Sequence, residues 1–261
     1  MTDSSSRSSA PPAFIVGSGR SGTTLLRLML DAHPNISCGP ETHFLEDMRH
    51  IVGSHWNLLS RYGFEKSYWH EKIRTFFSSV KEDYMEKRNK DRWIEKTPRY
   101  VKHLDFINDV FDDCLVIQII RNGYDVVLSW KQRSGYKQAM KSAWGEWQHS
   151  VQTARAFGEK HPDRYHELRY EDLVRNPEST MRDLLSFLDE PWDPAVINYD
   201  QADHDVADHY WDYTESRRDT TEESSKIYAS RIGKGKRKLN PVLRKTLQMR
   251  SGPLLKELGY Y

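Results

Sequence analysis

The chain has 261 residues, of which 30% are charged, 37% hydrophobic and 12% aromatic, and its formal charge at pH 7 is +1. That length suits one α/β domain with a generous core, and near-neutrality excludes the global positive field that bulk nucleic-acid binding uses. Two cysteines, Cys38 and Cys114, are too few for a disulfide scaffold or a zinc motif, and they fit thiols kept reduced in a cytosol.

Residues 1–12 are Ser-rich with no apolar stretch, so they are expected to form a flexible lead-in and not a secretory signal. Nowhere do eighteen apolar residues run together, so no membrane span is expected and the protein is placed in the cytoplasm. Residues 13–261 are expected to form one domain. Ala13–Val16 is a short apolar run ending in Gly17-Ser18-Gly19, and Thr24–Leu30 then continues at helical spacing up to His33-Pro34: strand, turn, helix. A helix is predicted over Lys66–Asn89, a short strand over Trp93–Lys96 stopped by Thr97-Pro98, and a helix over Lys102–Phe111. Cys114–Ile120 is a continuous β-rich run of the kind parallel sheets bury on both faces, and it ends in the polar turn Arg121-Asn122-Gly123. Helices are predicted over Asp125–Arg133, Lys141–Glu159 and Glu178–Leu188, with a strand at Tyr165–Tyr170. Strands alternating with helices imply a three-layer α/β fold around a central parallel sheet. Residues 199–238 turn irregular and polar, readable as a lid facing substrate or as a solvated connector, before a closing helix over Pro241–Leu258.

Gly17-Ser18-Gly19-Arg20-Ser21-Gly22-Thr23-Thr24 sits where a strand feeds a helix, the place where backbone N–H groups and the helix dipole cradle anions. The glycine spacing of a Walker A loop is kept, but Thr23 stands where that pattern has its lysine, which argues against ATP or GTP chemistry and its Mg²⁺. Arg20 instead offers a planar fork for a phosphate or phosphosulfate oxygen, with hydroxyls at Thr23 and Thr24.

These residues carry a resemblance. Arg20-Ser21-Gly22-Thr23-Thr24-Leu25, followed by Leu30-Asp31-Ala32-His33-Pro34 and Cys38-Gly39-Pro40-Glu41-Thr42, resembles the sulfotransferases that use 3′-phosphoadenosine 5′-phosphosulfate (PAPS), above all the branch with the tyrosylprotein sulfotransferases. The resemblance implies a P-loop-like fold, PAPS as co-substrate, 3′-phosphoadenosine 5′-phosphate (PAP) as product, and no metal. It implies that Arg20, Ser21, Gly22, Thr23 and Thr24 face the nucleotide and that Arg121 and Ser129 hold its 3′-phosphate. Arg133, one turn beyond Ser129, is placed to add a donor. Fainter likeness adds Tyr170 and, within the irregular segment, Ser230 and Arg231.

Sulfuryl transfer is an in-line displacement, so catalysis is chiefly positioning, electrostatic support of the leaving phosphate and removal of the acceptor proton. By resemblance Glu41 is the base and Lys96, assisted by Arg20, stabilises the leaving oxygen. His43 is the competing base, and Glu41 would otherwise pair with a nearby cation. A carboxylate is a weak base for a hydroxyl, so the role favours a partly desolvated cleft or late proton transfer. Lys96 also reads as plain surface charge. His204, Asp205, Asp208 and His209 lack the spacing of a helical metal pair and are expected to face acceptor or solvent. The acceptor is expected to be a hydroxyl of a small molecule, saccharide or lipid-linked group, met by aromatic residues of Trp56–Phe77 with Tyr199, Tyr210, Trp211 and Tyr213. A secreted peptide is less attractive without a secretory signal. The rival functions are a catalytically inactive PAPS/PAP-binding module and a P-loop small-molecule kinase.

Overall fold

Alternation along the first strand decides the layering. In the computed structural model, which describes residues 10–202, 204 and 232–261, strand β1 (Ala13–Val16) sends Ala13 and Ile15 into one apolar cluster and Phe14 and Val16 into another. All four are fully buried, so helices must cover both faces of the sheet. Helices α1 (Thr23–Asp31), α8 (Tyr170–Arg175) and α9 (Pro177–Phe187) pack on the first face. The second is covered by α2 (Phe44–Ser54), α4 (Lys66–Lys87), α5 (Leu104–Val110) and α7 (Trp147–Lys160); the single turn α3 (Trp56–Leu59) follows α2.

The sheet is five-stranded and wholly parallel in the described residues. With β2 (Ile36–Ser37), β3 (Arg92–Lys96), β4 (Leu115–Ile120) and β5 (Tyr165–Arg169), its order is β2-β3-β1-β4-β5. Helix α6 (Gly123–Lys141) is kinked at Gly135 and runs through a π turn over Ser142–Glu146 into α7. Together with the closing helix Pro241–Glu257 it builds a third cluster around Trp147 and Leu247.

The three-layer parallel fold expected from the alternation is the fold observed, and the differences are local. The helix expected from Lys102 begins at Leu104, after 3₁₀ turns over Pro98–His103. The flexible lead-in does not extend to residue 12: the Pro12 carbonyl accepts from the Leu115 N–H at 2.8 Å and the Pro11 carbonyl from Arg92 at 3.2 Å, docking the chain before β1 starts. Residues 1–9 and, of the expected lid, 203, 205–231 lie outside the described residues.

Two buried aspartates fix what flanks that segment. Asp31, at the C-terminal end of α1, is an unfavourable charge for the helix dipole, yet it is 2% exposed. It accepts from the Cys38 N–H at 2.9 Å and from Arg88, while His204 Nδ1 lies 2.9 Å away. Burial alone would raise the Asp31 carboxyl, but hydrogen bonds from His204, Arg88 and the Cys38 N–H outweigh it and hold it well below the usual carboxylate range. Asp125, in the first turn of α6, accepts from the N–H groups of Gly233 at 2.7 Å and Gly235 at 2.6 Å, so the returning chain is laid across the start of α6.

Removing the Asp31 charge takes a buried carboxylate away from Arg88 and His204, so Asp31→Asn is expected to lower stability at pH 7 by roughly 3 kcal/mol or more. Because the folded-state pKa lies below the unfolded one, this contribution is complete above about pH 5 and is lost as pH falls into the acid range. Denaturant titrations at pH 7 and at pH 3, below the ordinary carboxylate pKa, should therefore show the gap between wild type and variant narrowing in acid; a constant gap across that range would mean that the charge is not what stabilises.

Candidate active site

Each strand of a parallel sheet delivers its next loop to the same carboxyl edge, and here all five deliver a residue singled out in the sequence. The glycine-rich loop follows β1, Glu41 follows β2, Lys96 ends β3, Arg121 follows β4 and Tyr170 follows β5. Such an edge is where open α/β sheets bind ligands.

The loop is closed by Ser21, whose N–H donates to the Ser18 carbonyl at 3.2 Å. It is wedged between two rings. A Cβ on Gly19 would stand 2.6 Å from Trp130 Cζ2, and one on Gly22, at φ +102°, would stand 2.4 Å from Tyr170 Cδ2. Arg20 occupies the left-handed region at φ +73°, a conformation that a non-glycine residue keeps only when its surroundings enforce it. Two hydrogen bonds enforce it. Arg20 Nε donates to Ser129 Oγ at 3.0 Å, and Arg121 Nη1 donates to the Arg20 carbonyl at 3.2 Å. The Arg121 guanidinium lies 4.3 Å over the Tyr170 ring, and its carbonyl accepts from Trp147 Nε1 at 3.0 Å. Ser21 and Thr23 are buried, Gly22 and Thr24 half-buried at the start of α1, whose first N–H groups have no partner within the helix. Arg133 is half-buried one turn beyond Ser129 on α6.

The second half of the site is ionic. Lys96, its side chain 5% exposed, is not the surface charge it could have been: it donates to Glu41 Oε1. The loop bearing Glu41 is secured from α1 by the Asp31 contact to Cys38 N–H and by Arg27, which donates to the Cys38 carbonyl at 3.0 Å. Glu41 keeps 37% of its side chain in solvent, so the desolvated cleft expected for a carboxylate base is not what surrounds it. His43 Nε2 stands 3.6 Å from Glu41 Oε2, with its other nitrogen 3.8 Å from Glu46. Glu41, Lys96 and His43 thus form one cluster.

Other expectations fall elsewhere. Ser230, Arg231, Asp205, Asp208, His209, Tyr210, Trp211 and Tyr213 lie outside the described residues. His204 is engaged by Asp31 and by the Tyr199 carbonyl at 2.7 Å, and Tyr199 is packed in the core and offers no surface to an acceptor. In the Trp56–Phe77 region, Leu58, Tyr62, Phe64 and Phe76 are exposed, and Phe76 pairs with Phe44 close to the Glu41 loop. Cys38 and Cys114 are free and buried, and burial pushes both thiols up to about 12, which removes them as nucleophiles. Sequence reasoning missed Glu95, Lys81 and Tyr100, which sit under the Glu41–Lys96 pair; a glutamate beside the flagged lysine was the only local signal.

A family model described as "Sulfotransferase family" matches residues 11–194. The chain is 31% identical over 211 residues to the protein-tyrosine sulfotransferase of Drosophila melanogaster, covering 73% of this chain and 40% of that protein, and it spans about half the length of the curated relatives it matches. Among solved structures, the sulfotransferase domain of the Synechococcus PCC 7002 olefin synthase superimposes with a TM-score of 0.69 at 24% identity, covering 97% of this chain and 96% of that one. A mouse sulfotransferase complexed with PAP gives a TM-score of 0.51 at 14% identity, covering 95% and 89%. At these identities the structural likeness establishes the shared fold.

The wedge at the loop predicts that Gly22→Ala destabilises the protein by about 1–3 kcal/mol, from the left-handed backbone alone, plus whatever displacing the Tyr170 ring costs. Equilibrium denaturation of the two proteins reads this directly: a loss confined to the backbone range would show that the ring moves aside freely, and a variant as stable as wild type would show that the left-handed backbone at Gly22 carries no strain.

Proposed function

The chain belongs to the sulfotransferase family, and from that premise we propose that it transfers the sulfuryl group of PAPS to the phenolic hydroxyl of a tyrosyl acceptor. The observation that carries the reading is the convergence of Arg20, Arg121 and Ser129, with Arg20 and Ser129 in contact across 109 residues of sequence. Two guanidinium groups and a hydroxyl at one helix-capped loop suit a nucleotide bearing phosphates at both ends, and Arg133 stands one turn away to join them. The PAP bound in the mouse structure of like fold supports the same ligand here.

In this reading Ser21, Gly22, Thr23 and Thr24 present N–H and hydroxyl donors to the 5′-phosphosulfate, and Arg121 and Ser129 take the 3′-phosphate against Tyr170. Transfer proceeds in line. The acceptor oxygen forms a bond to sulfur as the bond from sulfur to the 5′-phosphate oxygen breaks. Glu41 takes the acceptor proton, and Lys96 with Arg20 supports the charge that grows on the departing PAP oxygen. Glu41 is half in water, so proton transfer has to come late, once bond formation has made the acceptor oxygen acidic. A phenol, with an ordinary pKa near 10, suits such a base far better than an aliphatic alcohol. Relatives named for protein-tyrosine sulfation support the same acceptor, in place of the small-molecule, saccharide or lipid-linked hydroxyl expected from composition. Ser230 and Arg231, which lie outside the described residues, are assigned to the same nucleotide by the family resemblance alone.

Calorimetric titration with PAP and ADP is expected to show PAP bound much more tightly, with Arg121→Ala and Ser129→Ala each costing roughly tenfold or more, as for hydrogen bonds to a charged group. Glu41→Gln should keep PAP affinity while reducing transfer from PAPS to a tyrosyl peptide by about 10²–10⁴-fold. Equal affinity for PAP and ADP would overturn the nucleotide assignment, and turnover of a sugar in preference to the tyrosyl peptide would overturn the acceptor.

A further inference from the structure

Beneath Glu41 and Lys96 lies a second charge cluster that neither donor binding nor the transfer step uses. Glu95 precedes Lys96 on β3, so strand alternation sends its side chain to the opposite face. There it is 0% exposed and ion-paired with Lys81 of α4, whose side chain is 7% exposed. The same carboxylate accepts from the hydroxyls of Thr97 and, at 3.4 Å, Thr42. The Thr42 hydroxyl is 3.2 Å from the Tyr100 hydroxyl, which accepts from the Leu45 N–H at 3.0 Å. With the Thr42 hydroxyl donating to the Glu95 carboxylate, the chain runs from Leu45 N–H to Tyr100, from Tyr100 O–H to Thr42 and from Thr42 O–H to Glu95. Burial, and then the charge of Glu95, push the Tyr100 phenol well above its ordinary range, so it stays a neutral hydroxyl that passes the hydrogen bond on.

A buried ion pair is poor value as mere core, because apolar residues of like volume generally serve stability as well or better. What this pair does hold is the loop. Thr42 and Leu45 follow Glu41 by one and four residues; Thr42 is tied to Glu95 at the carboxyl end of β3, the strand that carries Lys96, and Leu45 to Tyr100 in the turns just after it. We infer that Glu95 is a positioning residue, the terminal acceptor of a chain of hydrogen bonds that fixes the 41–45 loop and so aims the Glu41 carboxylate at the acceptor site. The inference rests on the reading of Glu41 as base, and it assigns no contact between Glu95 and either substrate.

The test uses the full chain. Thr42→Val removes the hydroxyl link at constant shape, Tyr100→Phe removes it one step further on, and Thr42→Ser restores it. Thr42→Val and Tyr100→Phe are expected to lower kcat for sulfuryl transfer roughly 10- to 100-fold, the range for a slightly misplaced catalytic group. PAP affinity and both KM values should stay within about threefold, and Thr42→Ser should recover kcat. Hydrogen exchange of the backbone amides of 41–45 gives a readout independent of activity: it should quicken about tenfold or more in Thr42→Val while that of the β1–α1 loop is unchanged. Glu95→Gln is the direct variant, and if it fails to fold the other three carry the test. A wild type that does not transfer from PAPS removes the functional reading, while the exchange result still decides whether the loop is tethered. Unchanged exchange, or full kcat in a folded Thr42→Val that binds PAP, overturns the inference.

Discussion

The site is organised around one aromatic ring. Tyr170 presses its edge against Gly22 so closely that no side chain fits between them, and it carries the Arg121 guanidinium over its face. Because Tyr170 begins α8 directly after β5, and Arg121 directly follows β4, the ring ties the two outermost strands on that side of the sheet to the loop after β1. Arg121 then holds the Arg20 carbonyl, which keeps Arg20 in its left-handed conformation and turns its guanidinium to Ser129. Remove the ring and the sequence of constraints loses its first member.

On the other side of β1 the ordering principle is charge. Asp31, Glu95 and Lys96 are all nearly inaccessible to water, and each has a partner of opposite sign: Arg88, Lys81 and Glu41. Burial of such groups is costly, so their geometry has to be tight to offset it. The outcome is a loop, residues 38–45, that has almost no regular structure yet is pinned at Cys38, Glu41, Thr42 and Leu45. Three of those pins come from α1 and β3, the elements that also carry the nucleotide loop and Lys96.

What was legible in the sequence was whatever repeats or runs. Ala13–Val16 and the Leu115–Ile120 run read correctly because a strand buried on both faces has no polar alternation to confuse it. The glycine loop, Glu41, Lys96, Arg121 and Ser129 came from motif likeness, and the fold brings them to one edge. Strand β2 has only two residues, too few for any period, and α2 buries just Leu45 and Val52, too few for a stripe. Glu95 and Lys81 stayed hidden for a different reason. Their meaning is pairwise, a strand residue meeting a helix residue across the core, and neither is unusual alone. Asp125 is the extreme case, since its partners Gly233 and Gly235 lie 108 and 110 residues further on.

The five strand ends that build the edge are spread from residue 17 to residue 170. Successive strand ends lie tens of residues apart in the chain, and the unfolded chain does not bring them together. Under the proposed function, a nucleotide bound there would grip the sheet as a whole, and its binding energy would add to global stability by mass action and not to the rigidity of one loop. Ligand-dependent melting of this protein is accordingly a measure of the integrity of the entire sheet, and a fragment cut anywhere between β1 and β5 forfeits recognition completely instead of in proportion to what it lost.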